Sequence, residues 1–234
     1  MDDAQLTQLL TEDLIAGYEA FLSGRFLRER GRFHDLAETG QHPHTLVIGC
    51  CDSRVAPEEI FNAEPGQIFD LRNVANLVPP NVPEHAHHGA FAAIDYAVSH
   101  LRVRNIVVLG HAQCGGVRAY VERHSGGAEL SPDADDHIGD WIRILAPAAQ
   151  RLGPPPKAFD AAYAERLAQR SVQEGLGNLR SFPKVLAAEQ AGTLKLHGAF
   201  FGVGDARLLA LDEARGVFVQ VSSLAHARAQ EQRA

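Results

Sequence analysis

Cysteine, methionine and tryptophan are scarce in this chain: three, one and one among 234 residues. Three thiols, two of them adjacent at Cys50 and Cys51, cannot build a disulfide framework. Each is therefore inert packing, a reactive thiol or a metal ligand. Long apolar runs are missing as well. The acidic start Met-Asp-Asp-Ala-Gln is followed by no stretch fit for a signal peptide or a membrane span, so a soluble cytoplasmic protein is expected. Basic charge is not in excess: 22 Lys and Arg stand against 29 Asp and Glu, a net charge of -7, which argues against a nucleic-acid partner. No internal repeat, domain linker or Gly-x-Gly-x-x-Gly after the first strand is present, and the last of these absences argues against a nucleotide-binding α/β domain.

What is present is core material. With 45% hydrophobic and 22% charged residues, the chain can form a single domain over 1–234. Leu6, Leu9, Leu10, Leu14, Tyr18, Phe21 and Leu22 recur at three- and four-residue steps. They predict a helical arm over 1–34, as one helix or two, since Gly17 and Gly24 interrupt the pattern. Thr45 to Ile48, Gln67 to Leu71 and Asn105 to Leu109 read as buried strands, and Pro57, Gly89 and Gly115 open helical stretches. The alternation predicts an α/β fold with a mostly parallel central sheet flanked by helices. Ile138 to Leu152 and Phe159 to Ala191 read as mostly helix, Thr193 to Phe201, Arg207 to Leu211 and Val217 to Val221 as closing strands, and 224–234 as a frayed tail.

Two segments place metal-capable residues directly after buried strands: Cys50-Cys51-Asp52-Ser53-Arg54, and Gly110-His111-Ala112-Gln113-Cys114-Gly115-Gly116. Ligands in open α/β sheets bind outside the carboxyl ends of strands. Two such ends could bring Cys50 beside His111 and Cys114, a Cys₂His set that binds catalytic zinc and leaves a fourth position open. Residue chemistry alone leaves both zinc ligation and ordinary strand-end packing of the thiols open.

Together, Cys-x-Asp-Ser-Arg and Gly-His-x-x-Cys-Gly-Gly resemble the motifs of the β-class carbonic anhydrases. Pro65-Gly66, Arg72-Asn73-Val74-Ala75-Asn76 and Leu196-His197-Gly198 extend the resemblance from about Phe21 to Val221. It implies reversible hydration of carbon dioxide to bicarbonate by zinc-bound hydroxide, with one Zn²⁺ per subunit on Cys50, His111 and Cys114. Asp52 would orient the hydroxide and Arg54 would fix Asp52 through a forked contact. Two thiolates cancel the metal charge, so activity is expected to rise into alkaline pH.

The resemblance further implies a subgroup. One branch of the family closes its zinc with this Asp and holds a non-catalytic bicarbonate on a Trp, an Arg and a Tyr. Those positions carry Val47, Arg72 and Phe201 here, so that pocket is expected to be absent and the zinc open to water. The other branch lines its substrate pocket with Gln, Phe, Val and Tyr, which map onto Gln41, Phe69, Val74 and Tyr96. The Gly115 amide, opening a helix, could bind a bicarbonate oxygen too. In this family the pocket forms between subunits, which implies a homodimer or larger assembly with the N-terminal arm clasping its neighbour.

Cys51 is expected to be a buried thiol, Glu84-His85-Ala86-His87-His88 a solvated loop, His197 a structural histidine and Trp141 a packing residue. Two rivals share the scaffold: a carbon disulfide or carbonyl sulfide hydrolase, and a non-enzymatic protein with a closed structural zinc. The second leaves Arg54 and the matched pocket residues without a purpose.

Overall fold

Thr45-Leu46-Val47-Ile48 forms the heart of strand β1 (Thr45–Cys50), and Leu46, Val47 and Ile48 are at most 1% exposed. Neighbouring side chains on a strand face opposite ways, so burial of all three requires cover on both faces of the sheet. The computed structural model describes residues 9–82, 88–125 and 136–221. They fall into two compact units, Met1–His42 and Pro43–Ala234.

In the first unit, helix α1 (Glu12–Phe21) passes through a π-helical turn at Leu22–Phe26 into helix α2 (Leu27–Thr39). The two glycines do not break the helical run. Gly24 falls inside the π turn, and the helix stops only at Gly40, with φ of 81°. The arm therefore extends beyond residue 34. Phe21, Phe26 and Phe33 cluster with ring centroids 5.5–5.9 Å apart, while Leu14, Tyr18 and Leu27 are exposed.

The second unit is built on a six-stranded sheet of order β2-β1-β3-β4-β5-β6. Strands β2 (Ile68–Asn73), β1, β3 (Asn105–His111) and β4 (Lys195–Phe201) run parallel, whereas β5 (Leu208–Asp212) and β6 (Val217–Gln220) close the sheet antiparallel. Helices follow in chain order: α3 (Pro57–Ile60), α4 (His88–Tyr96), α5 (Gly115–His124), α6 (His137–Ile142), α7 (Ala146–Leu152), α8 (Ala161–Leu179) and α9 (Pro183–Gln190). These match the sequence expectations closely. The Phe159 to Ala191 stretch is two helices, because Pro183 opens the second at its first turn.

Helix α8 lies directly on the sheet. A β-carbon at Gly198 in β4 would stand 2.9 Å from Cγ1 of Val172, so glycine lets the helix approach. Leu46, Ile48, Ile106, Val108, Val172 and Leu176 form one core beneath it. Each such side chain stabilises the fold by about 1.5–3 kcal/mol on leaving water. A second core, toward the ends of the strands, includes Cys50, Cys114, Val117, Leu145 and Leu167.

Residues 1–8 of the predicted arm, Glu84 to His87, residues 126–135 and the predicted tail lie outside the described residues. Among the described residues no helix is long and apolar enough to cross a membrane.

Candidate metal centre and active site

The connection after β1 leads to β2 on one side, and that after β3 leads to β4 on the other. The crevice between β1 and β3 is thus the topological switch point, where ligands bind in open α/β sheets. Cys50 ends β1 and His111 ends β3. Cys114 follows across a short turn whose Gln113 adopts φ of 56°, and it caps α5.

Sγ of Cys50, a ring nitrogen of His111 and Sγ of Cys114 all lie within 4.8 Å of one another. The sulfurs are 3.9 Å apart. Two thiolates at a zinc–sulfur distance of about 2.3 Å stand roughly 3.8 Å apart in a tetrahedral site, so the spacing fits zinc. His111 is fully buried, and its Nδ1 lies 2.9 Å from the Ala112 carbonyl oxygen. With Nδ1–H donating there, Nε2 presents a lone pair, and Nε2 is buried with no hydrogen-bond partner among the described residues. An orphaned imidazole nitrogen facing two buried sulfurs is a ligand set for a soft or borderline cation.

The Cys114 thiol donating to Cys50 outweighs burial and, with the His111 ring and the Asp52 and Ala75 amides, holds Cys50 well below the usual thiol range. Cys114 is driven the other way by its bond to Cys50 and by burial, so the two sulfurs titrate as one pair sharing a proton.

Beside them, Arg54 grips Asp52 with both arms of its fork: Nε to Oδ1 at 2.9 Å and Nη2 to Oδ2 at 2.7 Å. The Arg54 amide also donates to Oδ1 at 3.0 Å. These bonds hold the Asp52 carboxyl far below the usual carboxylate range despite partial burial. Nη2 of Arg54 also reaches the Gln113 carbonyl at 3.3 Å, tying the first motif to the second. A cavity of about 590 Å³ opens beside Cys114 and Arg54, walled in part by Val117, Phe159 and Arg118.

The carbonic anhydrase family model matches residues 45–208. The chain belongs to the carbonic anhydrase family. A curated carbonic anhydrase of Pseudomonas aeruginosa is 34% identical over 217 residues, 93% of this chain and 94% of the relative. The solved β-carbonic anhydrase CcaA superposes with a TM-score of 0.77 at 28% identity, over 89% of this chain and 98% of its own. One of two tetrameric β-carbonic anhydrases of the filamentous ascomycete Sordaria macrospora gives 0.66 at 28%, over 90% and 98%. Family, fold and geometry agree on a β-class carbonic anhydrase with a Cys–His–Cys group able to hold its metal.

Of the residues expected to line a carbonic anhydrase substrate pocket, Val74 and Gly115 stand near this group. Val74 packs on the core that contains Cys50 and Cys114, and Gly115 is the first residue of α5. Phe69 does not. It pairs with Leu46, four residues before Cys50 along β1, or about 13 Å at strand rise. Tyr96 stays with it, ring centroids 5.8 Å apart, and is 44% exposed. Gln41 is exposed in the first unit.

Cys51 corrects an expectation: it is exposed, not buried. The strand ends at Cys50, and the chain turns away with the Cys51 amide on the Asn73 carbonyl at 3.0 Å. Strand alternation no longer applies there. His197 is satisfied by Asn105 at 3.1 Å, as a structural histidine should be.

The scaffold of the site was missed in the sequence. Arg72 donates through Nε to the Cys50 carbonyl at 2.8 Å and through Nη2 to the Asp52 carbonyl at 2.7 Å. The Ala75 amide donates to Sγ of Cys50 at 3.3 Å, and Ala75 itself adopts φ of 65°. Asn73 brackets this turn by bonding both polar backbone groups of Leu77, and Trp141 Nε1 holds the Val74 carbonyl at 2.7 Å. Trp141 is thus a packing residue with a structural hydrogen bond. The Arg-Asn-Val-Ala-Asn string was the available signal, but its type does not reveal that backbone groups do the work.

Proposed function

We propose that this chain catalyses the reversible hydration of carbon dioxide at one zinc ion per subunit, held by Cys50, His111 and Cys114, with Asp52 and Arg54 as the working pair. The observation that carries this reading is the buried Nε2 of His111, without a hydrogen-bond partner among the described residues and facing two sulfurs 3.9 Å apart, beside a forked Asp–Arg contact. When bound, zinc supplies Lewis acidity that lowers the pKa of water. Asp52, kept ionised by Arg54, accepts a hydrogen bond from the attacking oxygen and aims its lone pair at the carbon. Arg54 is a positioning residue: it fixes the carboxylate plane through two parallel bonds, which an ammonium could not do. The Gly115 amide at the start of α5 binds an oxygen of bicarbonate, and Val74 forms an apolar wall.

The site belongs to the open subgroup on this reading. Both Asp52 oxygens are engaged by Arg54, which supports a carboxylate held off the metal. Val47 is 1% exposed and packs with Leu109, Ala199 and Phe201. Apolar filling at two of the three positions supports the absence of a non-catalytic bicarbonate pocket.

Phe69 and Tyr96 are too far along β2 and α4 to serve their own zinc centre. They line the pocket of a second subunit, so the active form is a homodimer or a larger homo-oligomer. Tetrameric relatives support this. The test is stopped-flow hydration of carbon dioxide by the zinc-loaded protein, beside sulfide release from carbonyl sulfide and carbon disulfide, with its mass in solution. Hydration by an oligomer is expected. Preferential sulfide release, or a fully active monomer, would overturn the reading.

A further inference from the structure

At the opposite end of the sheet from the metal centre, the chain enters β3 and β4 through a cationic groove. Arg102 and Arg104 flank buried Val103 and are both exposed. Asn105 opens β3 directly beside Lys195, which opens β4, and the two are register partners. With Gly192 and Thr193 these residues line a groove of about 560 Å³. Among the described residues no carboxylate lines it. The acids nearest in sequence are committed elsewhere: Glu189 holds Arg180 at 2.8 Å, and Asp95 holds Lys184 at 2.6 Å. None of the three cations forms an ion pair among the described residues. Three like charges line one groove in a chain whose overall charge is -7, so composition does not account for them. Neighbouring His197 has its pKa lowered, first by burial and then by Lys195.

We propose that Arg102, Arg104 and Lys195 form a binding site for a multiply charged phosphate-type anion, with a diphosphate group as the minimal ligand. Three positive charges in a concavity concentrate field lines and match a polyanion better than singly charged bicarbonate. Two guanidinium forks and an ammonium are the donors used for phosphate oxygens, and Gly192 keeps the floor free of side-chain bulk. This site is separate from the metal centre and does not depend on the proposed reaction.

The test uses inorganic pyrophosphate with the zinc-loaded protein. Calorimetry is expected to show binding that weakens with added salt, because exposed charges are screened. Hydrogen exchange should slow in segments 101–106 and 191–196. The exposed double variant Arg104→Gln with Lys195→Gln should bind about tenfold or more weakly, two charge-assisted contacts being lost, with thermal melting and carbon dioxide hydration unchanged. Equal affinity in the double variant, or protection confined to the metal centre, would overturn the proposal.

Discussion

Arg72 holds the carbonyl oxygen of Cys50 with its Nε at 2.8 Å, so the backbone of one member of the Cys–His–Cys group is fixed by a guanidinium on the neighbouring strand. Its Nη2 reaches the Asp52 carbonyl, and the same side chain therefore also sets the backbone of the Asp52–Arg54 segment. Arg72→Gln should release zinc to a chelator about tenfold faster, in line with other supports behind metal ligands. Arg72→Lys should recover only part of this, because one ammonium does not copy two directed N–H bonds. Unchanged release kinetics in both variants would remove Arg72 from the support of the site.

Asp52→Asn is expected to keep its zinc and lose roughly a hundredfold or more in carbon dioxide hydration, the scale of a positioned acceptor. Arg54→Lys should fall between it and the parent. The Asp52 carboxyl lies far below its usual range because Arg54 bonds the ionised form, so no limb of the pH–rate profile near neutrality should belong to it. Full activity in Asp52→Asn would end the role given to this carboxylate.

Cys114→Ser should lose the metal, as elemental analysis would register, and hydration should fall with zinc content. Two thiolate donors leave little net charge on the metal, so activity of the parent should climb from neutral into alkaline pH. A profile already at its plateau below neutrality would contradict this donor set.

Gly116→Ala places a β-carbon 2.7 Å from Cγ1 of Val74 and 3.0 Å from Cβ of Ala75. The turn whose amide reaches Cys50 would have to shift. A loss of about 1–3 kcal/mol is expected from overpacking, read by denaturant unfolding of the zinc-loaded protein. Adding Val74→Ala should recover part of it, since the two sites are in contact.

Asp70 carries a carboxyl pushed up to about 6 from 3.8, first by burial and then by repulsion from Glu58, and its Oδ1 is buried without a hydrogen-bond partner among the described residues. A folded-state pKa above the unfolded one means that the folded chain holds this proton more tightly. The contribution to stability is thus full below about pH 4 and is lost as pH rises through 6. Asp70→Asn should raise stability by about 1–2 kcal/mol near pH 8, a figure discounted for partial exposure, and by little at pH 4. Melting curves at the two pH values decide it, and equal stability of variant and parent at both would show that the ionised carboxylate costs nothing.

Much of this was legible in the chain itself. Thr45 to Ile48 and Asn105 to Leu109 could only be strands buried on both faces, since continuous β-branched and leucine runs leave no solvent side. Cys50, His111 and Cys114 were visible because each follows such a run, and strand ends in parallel sheets converge on a crevice. The glycines at 17 and 24 were less informative. Their breaking tendency is about 1 kcal/mol each, which a long helix with a π turn absorbs.

The sequence by itself determined the donor atoms, the strands that carry them and the Asp–Arg pair two residues apart, because these are local in chain order. Only the tertiary structure decided that Arg72 and the Ala75 amide clamp Cys50, that Cys51 turns to the surface, and that Phe69 stands about 13 Å along the strands from the Cys–His–Cys group beside which Val74 packs. Those outcomes depend on strand register and on the left-handed turn at Ala75. Both are set by how separate segments pack, so residue types in sequence order do not contain them.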